Sequence, residues 1–176
     1  DEHVLLCLKN AEIICQSIAD TLGEIDPENK DTYEANVVAY IEELAGLDVQ
    51  YQDTVDTASR KTVLFGDRFP FRYMVDDYGL NYYAAFAGCS AESEASFETI
   101  SFLAKKVDEL QLPCILTIED EQHKIAETIK ANTQNQDQEI LTMNSMQSVT
   151  SKDVQNGANY FSIMEENLNV LKQALN

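Results

Sequence analysis

Four short apolar runs, separated by stretches of helical periodicity, constrain the fold of this 176-residue chain more than any other feature. The runs are TVLFG (62–66), YYAAFA (82–87), CILTIE (114–119) and EILTM (139–143), and helical segments lie between them near 70–78, 96–110 and 122–132. Strand-like runs that alternate with helices are typical of a parallel sheet with crossover connections. The sequence therefore predicts an α/β fold in which a four-stranded parallel sheet, in the order 2-1-3-4, is flanked by helices.

One long helix is predicted before the sheet. Asp26-Pro27 is typical of an N-cap followed by proline at the first helical position. Apolar side chains then recur at steps of three and four residues, namely Tyr33, Val37, Tyr40, Leu44, Leu47 and Tyr51. A helix from Pro27 to about Asp56 would be about 45 Å long, which is more than a compact lobe needs. It is expected to bridge two bodies or, in the simpler alternative, to pair with the preceding helix.

Two further helices and the cysteines complete the structural expectations. The first helix is predicted from about Lys9 to Gly23, and the last from Tyr160 to about Leu175. The first should bury a face formed by Ala11, Ile14, Cys15, Ile18, Ala19 and Leu22. The four cysteines (Cys7, Cys15, Cys89 and Cys114) show no CxxC spacing and are predicted to be free thiols, with Cys15 and Cys114 buried.

The charge balance limits the classes of partner. Thirty-one acidic and twelve basic residues give a net charge of −19, which repels nucleic acid and anionic membrane surfaces and attracts cations. Solubility alone could also explain the acidity. The chain contains no nucleophile elbow, phosphate-binding glycine loop or HExxH segment, so an enzyme is disfavoured. A cation-binding role is therefore one of two interpretations that remain open.

His3 and Asp67 are the first candidates for a metal site, because an imidazole and a carboxylate can share one divalent cation. Ligands of parallel sheets bind beyond the carboxyl ends of the strands. Asp67, Glu119 and the segment 143–147 all follow predicted strands. The alternatives are that His3 is a solvated residue near a chain end and that Asp67 pairs with a neighbouring arginine or caps a helix.

Five segments, taken in order, carry a resemblance to a known family. They are DEHVLLCLKNA, DPENKDTYEANVVAYIEEL, KTVLFGDRFPFRYMVDDYGL, IEDEQHKIAETI and YFSIMEENLNVLKQAL. Together they resemble the carboxyl-terminal part of the zinc and manganese solute-binding lipoproteins that supply ABC importers. The resemblance implies two α/β lobes bridged by a rigid helix, with one metal ion between the lobes. Residues 1–26 would then be an edge of an amino-terminal lobe otherwise missing from this chain, 27–58 the bridge, and 59–176 the carboxyl-terminal lobe.

The same resemblance assigns roles to single residues. It implies that His3 and Asp67 are metal ligands, that Gln147 is a weak neutral donor at the position of a further ligand, and that Glu119 orients the ligands without binding the metal. It also implies a lipid-anchored receptor at the cell surface, outside the cytoplasm, which captures Zn²⁺ or Mn²⁺ and delivers it to an ABC permease without catalysis.

The alternative to a metal receptor is a degenerate relative that lacks a functional metal site. Such a relative would bind another solute or take part in surface adhesion. In either case this chain alone is expected to bind metal weakly or not at all, because the resemblance implies that ligands from the missing lobe are absent.

Overall fold

A four-stranded parallel sheet forms the centre of the second part of the chain. The computed structural model describes residues 2–86, 94–119 and 123–176. The strands are β1 (Thr62–Phe65), β2 (Asn81–Ala84), β3 (Cys114–Thr117) and β4 (Glu139–Thr142). All pairings are parallel and the order is β2-β1-β3-β4. The predicted fold class and strand order are confirmed, although each strand is shorter than its apolar run.

Helices cover both faces of this sheet. They are α1 (Leu8–Ile25), α2 (Lys30–Thr57), α3 (Arg72–Tyr78), α4 (Phe97–Leu110), α5 (Lys124–Ala131), α6 (Ser151–Gln155) and α7 (Tyr160–Leu175), with 3-10 turns at Val4–Leu6 and Pro27–Asn29. Alternate residues of β1 enter different cores: Val63 and Phe65 pack with α2 and α7, and Leu64 packs with α4 and α5. None of the helices among the described residues is both long enough and apolar enough to cross a membrane.

The long helix α2 runs without a break for 28 residues. Its predicted apolar stripe faces the protein, with Val37, Leu44, Leu47 and Tyr51 buried. The first half of α2 pairs with α1, and the second half reaches α7, where the Tyr51 hydroxyl donates a hydrogen bond of 2.7 Å to the carbonyl oxygen of Met164. One continuous helix therefore connects α1 to the sheet domain.

The predicted buried face of α1 is largely open to solvent. Ala11 is buried, but Ile14, Ile18 and Leu22 are 37%, 54% and 40% exposed, and Cys15 is only half-buried. The prediction of full burial was wrong because α2 covers only one side of α1. Ile14, Ile18 and Leu22 are referred to below as the open face of α1.

The cysteines agree with the prediction of free thiols where the structure describes them. Cys7, Cys15 and Cys114 are free, and Cys89 lies outside the described residues. Cys114 is buried as predicted, and this burial raises the pKa of its thiol to about 12. Its thiol is therefore protonated and unreactive at neutral pH.

Candidate metal centre

The carboxyl ends of three neighbouring strands bring the predicted site residues to one edge of the sheet. Asp67 follows β1, Glu119 follows β3 and Gln147 follows β4, and these strands are adjacent in the order β1-β3-β4. His3 comes from the opposite end of the sequence. This edge is where parallel α/β sheets bind their ligands.

Glu119 is the hydrogen-bond acceptor that holds the loop after β4. Its Oε2 atom accepts from the Ser145 backbone N–H at 2.6 Å, and its Oε1 atom accepts from the Ser145 hydroxyl at 2.6 Å and from the Gln147 backbone N–H at 3.0 Å. Burial raises the pKa of this carboxyl group, but the hydrogen bonds from Ser145 and Gln147 lower it more, so the net pKa is below the usual value. The ionised carboxylate therefore fixes the backbone that carries the Gln147 side chain.

Asn167 on α7 holds the same loop from the other side. It is 2% exposed, and its side-chain amide accepts from the Asn144 N–H at 2.7 Å and donates to the Asn144 carbonyl oxygen at 2.9 Å. The sequence contained a signal for this role, because Asn167 is a polar residue within the apolar stripe formed by Met164, Leu168 and Leu171. A buried amide among apolar neighbours indicates a hydrogen-bonded backbone partner.

His3 and Gln147 contact each other although they lie 144 positions apart in the sequence. Their Nε2 atoms are 3.0 Å apart, and His3 is 8% exposed. Because an amide nitrogen can only donate, His3 accepts with its Nε2 lone pair, which is the pair that a metal ion would take. The structure therefore brings together two of the predicted ligands.

Contacts with the body of the protein fix the segment that carries His3. The side chain of Leu6 is fully buried, and its N–H donates to the His3 carbonyl oxygen at 3.1 Å. The Tyr160 hydroxyl donates to the Leu5 carbonyl oxygen at 2.7 Å, and the Cys7 thiol donates to Asp77 at 3.3 Å. The description of His3 as a solvated terminal residue does not apply to this arrangement.

Asp67 is also buried, and its carboxylate is engaged in hydrogen bonds. Its Oδ1 atom accepts from the Arg68 backbone N–H at 2.7 Å, and its Oδ2 atom accepts from the Ile118 N–H at 3.3 Å. The Arg68 guanidinium lies 3.9 Å from Oδ1. Asp67 thus links the end of β1 to the end of β3, next to Glu119. The pairing with a neighbouring arginine, which the sequence left open, is therefore present. Metal ligation by Asp67 stays a prediction.

The donor set at this edge is smaller than a zinc centre requires. Within the described ranges 2–86, 94–119 and 123–176, no group of three or more His, Cys, Asp or Glu side chains could hold a metal ion. His3 and Gln147 together supply one imidazole nitrogen and one neutral amide. Protein zinc sites are usually four-coordinate. The pair therefore supplies at most two of the four donors that such a site uses.

Comparison with known proteins shows that the chain is similar to zinc-binding proteins. A family model described as zinc-uptake complex component A, periplasmic (ZnuA), matches residues 1–174. The zinc-binding lipoprotein AdcA of Streptococcus pneumoniae is 33% identical over 175 residues, which are 98% of this chain and 34% of that protein. The high-affinity zinc uptake system protein ZnuA of Bacillus subtilis is 30% identical over 175 residues, which are 99% of this chain and 53% of that protein.

A solved structure extends the similarity to three dimensions. The Zn(II)-bound ZnuA-like domain of Streptococcus pneumoniae AdcA matches with a TM-score of 0.79 and 31% identity, covering 99% of this chain and 64% of that chain. The chain spans about a third of the length of the AdcA relative and about half that of the ZnuA relative.

Proposed function

This chain belongs to the zinc-uptake complex component A family, and from that premise we propose that it is part of a receptor that captures Zn²⁺ outside the cytoplasm. The family consists of zinc-binding receptors and not of enzymes. The contact between His3 and Gln147 carries the proposal, because it joins an imidazole and an amide at the edge where such sheets bind their ligands. The net charge of −19 supports it, because an acidic protein attracts cations.

The proposed ligands in this chain are His3, Gln147 and Asp67. Rotation of the Gln147 amide would present its oxygen to the position where its nitrogen now meets His3. Each Asp67 oxygen accepts one backbone hydrogen bond and keeps a second lone pair that could bind a cation. Glu119 orients Gln147 through the backbone and is not proposed as a ligand.

We propose that the remaining donors come from an amino-terminal lobe outside these 176 residues. On this proposal residues 1–26 are an edge of that lobe, 27–58 the bridge and 59–176 the carboxyl-terminal lobe. The open face of α1 supports the division, because an amphipathic helix normally buries its apolar side chains against a second body. The length of α2, which reaches from α1 to α7, supports its role as the bridge.

Zn²⁺ is the proposed cargo, and Mn²⁺ is the competitor that the same experiments should include. Imidazole favours Zn²⁺, and Zn²⁺ binds a given site more tightly than Mn²⁺ does. The proposed partner is an ABC permease that receives the metal, and the proposed location is the cell surface, with a lipid anchor as in relatives named lipoproteins.

Calorimetric titration of this chain with Zn²⁺ tests the function. We expect a dissociation constant weaker than about 1 μM, because an incomplete ligand set gives only part of the free energy of a four-ligand site. His3→Ala should weaken this binding about tenfold, since it removes the imidazole. Mn²⁺ should bind more weakly than Zn²⁺.

His123→Ala is the matched control for that titration, because it removes the other histidine, at the start of α5, and should leave zinc binding unchanged. Nanomolar binding by this chain would contradict the proposed ligand count. Equal zinc affinity of His3→Ala and the unaltered chain would contradict the proposal that His3 is a ligand.

Asp67→Asn tests the third ligand. Asparagine keeps the shape of the side chain but removes the charge, so we expect the zinc affinity to fall about tenfold, or about 1.4 kcal/mol. The melting temperature should fall as well, because asparagine has one accepting oxygen for the two backbone N–H groups of Arg68 and Ile118. The control is Asp76→Asn, which removes a carboxylate from an exposed ion pair with Arg72 on α3. If the melting temperature falls and the affinity does not, Asp67 only links the strand ends.

A further inference from the structure

A tyrosine hydroxyl on α7 holds the turn that follows His3. Tyr160 donates its hydroxyl hydrogen to the carbonyl oxygen of Leu5 at 2.7 Å, and Leu5 lies in the 3-10 turn Val4–Leu6. We propose that Tyr160 is a positioning residue for His3, which keeps the imidazole in place for metal capture by holding this carbonyl. The inference rests on the proposed function, since it treats His3 as a ligand.

The Tyr160 hydroxyl anchors a turn whose first two side chains are poorly anchored themselves. Val4 and Leu5 are 37% and 41% exposed, so these two side chains add little anchoring, whereas Leu6 is fully buried. The Leu6 N–H bonds back to the His3 carbonyl oxygen and closes the turn on itself. The bond from Tyr160 ties the backbone of the turn to a different element of the fold. It therefore restrains the turn at a point between the buried Leu6 side chain and His3.

Tyr160 is itself held firmly enough for this role. It is the first residue of α7, where Asn159 and Ser162 form a capping box: the Asn159 side chain accepts from the Ser162 N–H at 3.0 Å, and the Ser162 hydroxyl accepts from the Asn159 N–H at 3.2 Å. The ring packs against the main core. Burial raises the pKa of the phenol, so the hydroxyl stays protonated and can donate at any physiological pH.

The same helix also positions the partner of His3. Asn167 holds the Asn144 backbone in the loop that carries Gln147. Tyr160 and Asn167 are seven positions apart in α7, which places them two turns apart on similar sides of the helix. One rigid element thus fixes both the turn after His3 and the loop of Gln147, and with them the 3.0 Å contact between the two side chains.

Tyr160→Phe is the test, because it removes only the hydroxyl group. We expect zinc affinity to fall about threefold to tenfold, the effect of losing one ordinary hydrogen bond. In the metal-free chain, the ring ¹⁵N signals of His3 should shift or broaden in long-range ¹H–¹⁵N NMR spectra, since its single orientation is lost. This second readout does not require metal binding.

Tyr51→Phe is the matched control. It removes another tyrosine hydroxyl bond of 2.7 Å to a backbone carbonyl, that of Met164 in the same helix, without bonding to residues 3–6. We expect it to lower the melting temperature at least as much as Tyr160→Phe and to leave the His3 signals and the zinc affinity unchanged.

Two results would overturn the positioning role: unchanged His3 signals and zinc affinity in Tyr160→Phe, or equal changes in Tyr51→Phe. If Tyr160→Phe shifts the His3 signals but His3→Ala binds zinc normally, Tyr160 still positions His3 and the ligand assignment of the proposed function fails. The two proposals are therefore separable.

Discussion

Glu119→Gln is expected to lower the free energy of unfolding by about 2 to 4 kcal/mol at neutral pH, because hydrogen bonds to charged groups contribute about 1.5 to 3 kcal/mol each and are partly lost together. The carboxylate accepts three hydrogen bonds, two from Ser145 and one from Gln147. Glutamine has one oxygen in place of two, and its NH₂ group would face an N–H or O–H donor. Denaturant unfolding measures the loss, and zinc affinity should fall with it because the Gln147 backbone is released.

The matched control is Glu165→Gln, which neutralises an exposed glutamate on α7 and should leave the free energy of unfolding almost unchanged. Equal stability of Glu119→Gln and the unaltered chain would mean that the loop after β4 is held by other contacts, such as those of Asn167.

The pH dependence of this difference follows from the lowered pKa of Glu119. A carboxyl group whose pKa is lower in the folded state stabilises the fold at pH values above its unfolded pKa, about 4.3 for glutamate. That stability is lost as the pH falls from there through the folded pKa. The unaltered chain and Glu119→Gln should therefore differ by a constant amount near neutral pH and converge in acid. A difference that grows in acid would contradict this assignment of charge.

Gln147→Glu is expected to raise the zinc affinity of this chain about tenfold to a hundredfold, or about 1.4 to 2.8 kcal/mol. The substitution places a carboxylate where a neutral amide now lies 3.0 Å from His3 Nε2. A charged oxygen binds a divalent cation more strongly than an amide does, and imidazole with carboxylate is a usual combination at zinc. Calorimetric titration with Zn²⁺ measures the change.

Gln173→Glu controls for general electrostatics, because it adds the same charge on the exposed surface near the end of α7, which bonds to Arg60 before β1 and so lies at the opposite edge of the sheet. Its zinc affinity should stay within about twofold of the unaltered chain, since exposed charges more than a Debye length apart are largely screened. If the zinc affinity of both variants rises equally, the cause is the added net charge, and Gln147 does not contact the metal.

The sequence predicted the sheet because its strands are apolar runs that helical segments separate. It could not predict what covers α1, because periodicity identifies an apolar face but not the body that packs against it. Helix α6 was missed since its five residues are too few for a periodic pattern, although the capping box of Thr150 and Asp153 marks its start.

The candidate site was predictable in part. Strand ends indicated Asp67, Glu119 and the 143–147 segment, and the family resemblance added the roles of His3 and Gln147. The resemblance placed both residues in one site, but the sequence could not show that their side chains contact each other directly, because they lie 144 positions apart. It also could not decide between the roles of Asp67, since the predicted strand order places β1 beside β3 but does not show that the Asp67 carboxylate accepts the Ile118 N–H.

The attachment of both the His3 turn and the Gln147 loop to α7 has a kinetic consequence. On the proposed function, the separation of His3 and Gln147 should stay unchanged when the rest of the amino-terminal lobe moves, for as long as the bonds from α7 to Leu5 and to Asn144 are kept. An arriving ion would then meet two side chains whose backbones are already in place, and only the Gln147 amide would have to rotate before it binds. The residence time of the ion would then depend on how fast the donors of the proposed amino-terminal lobe bind and dissociate.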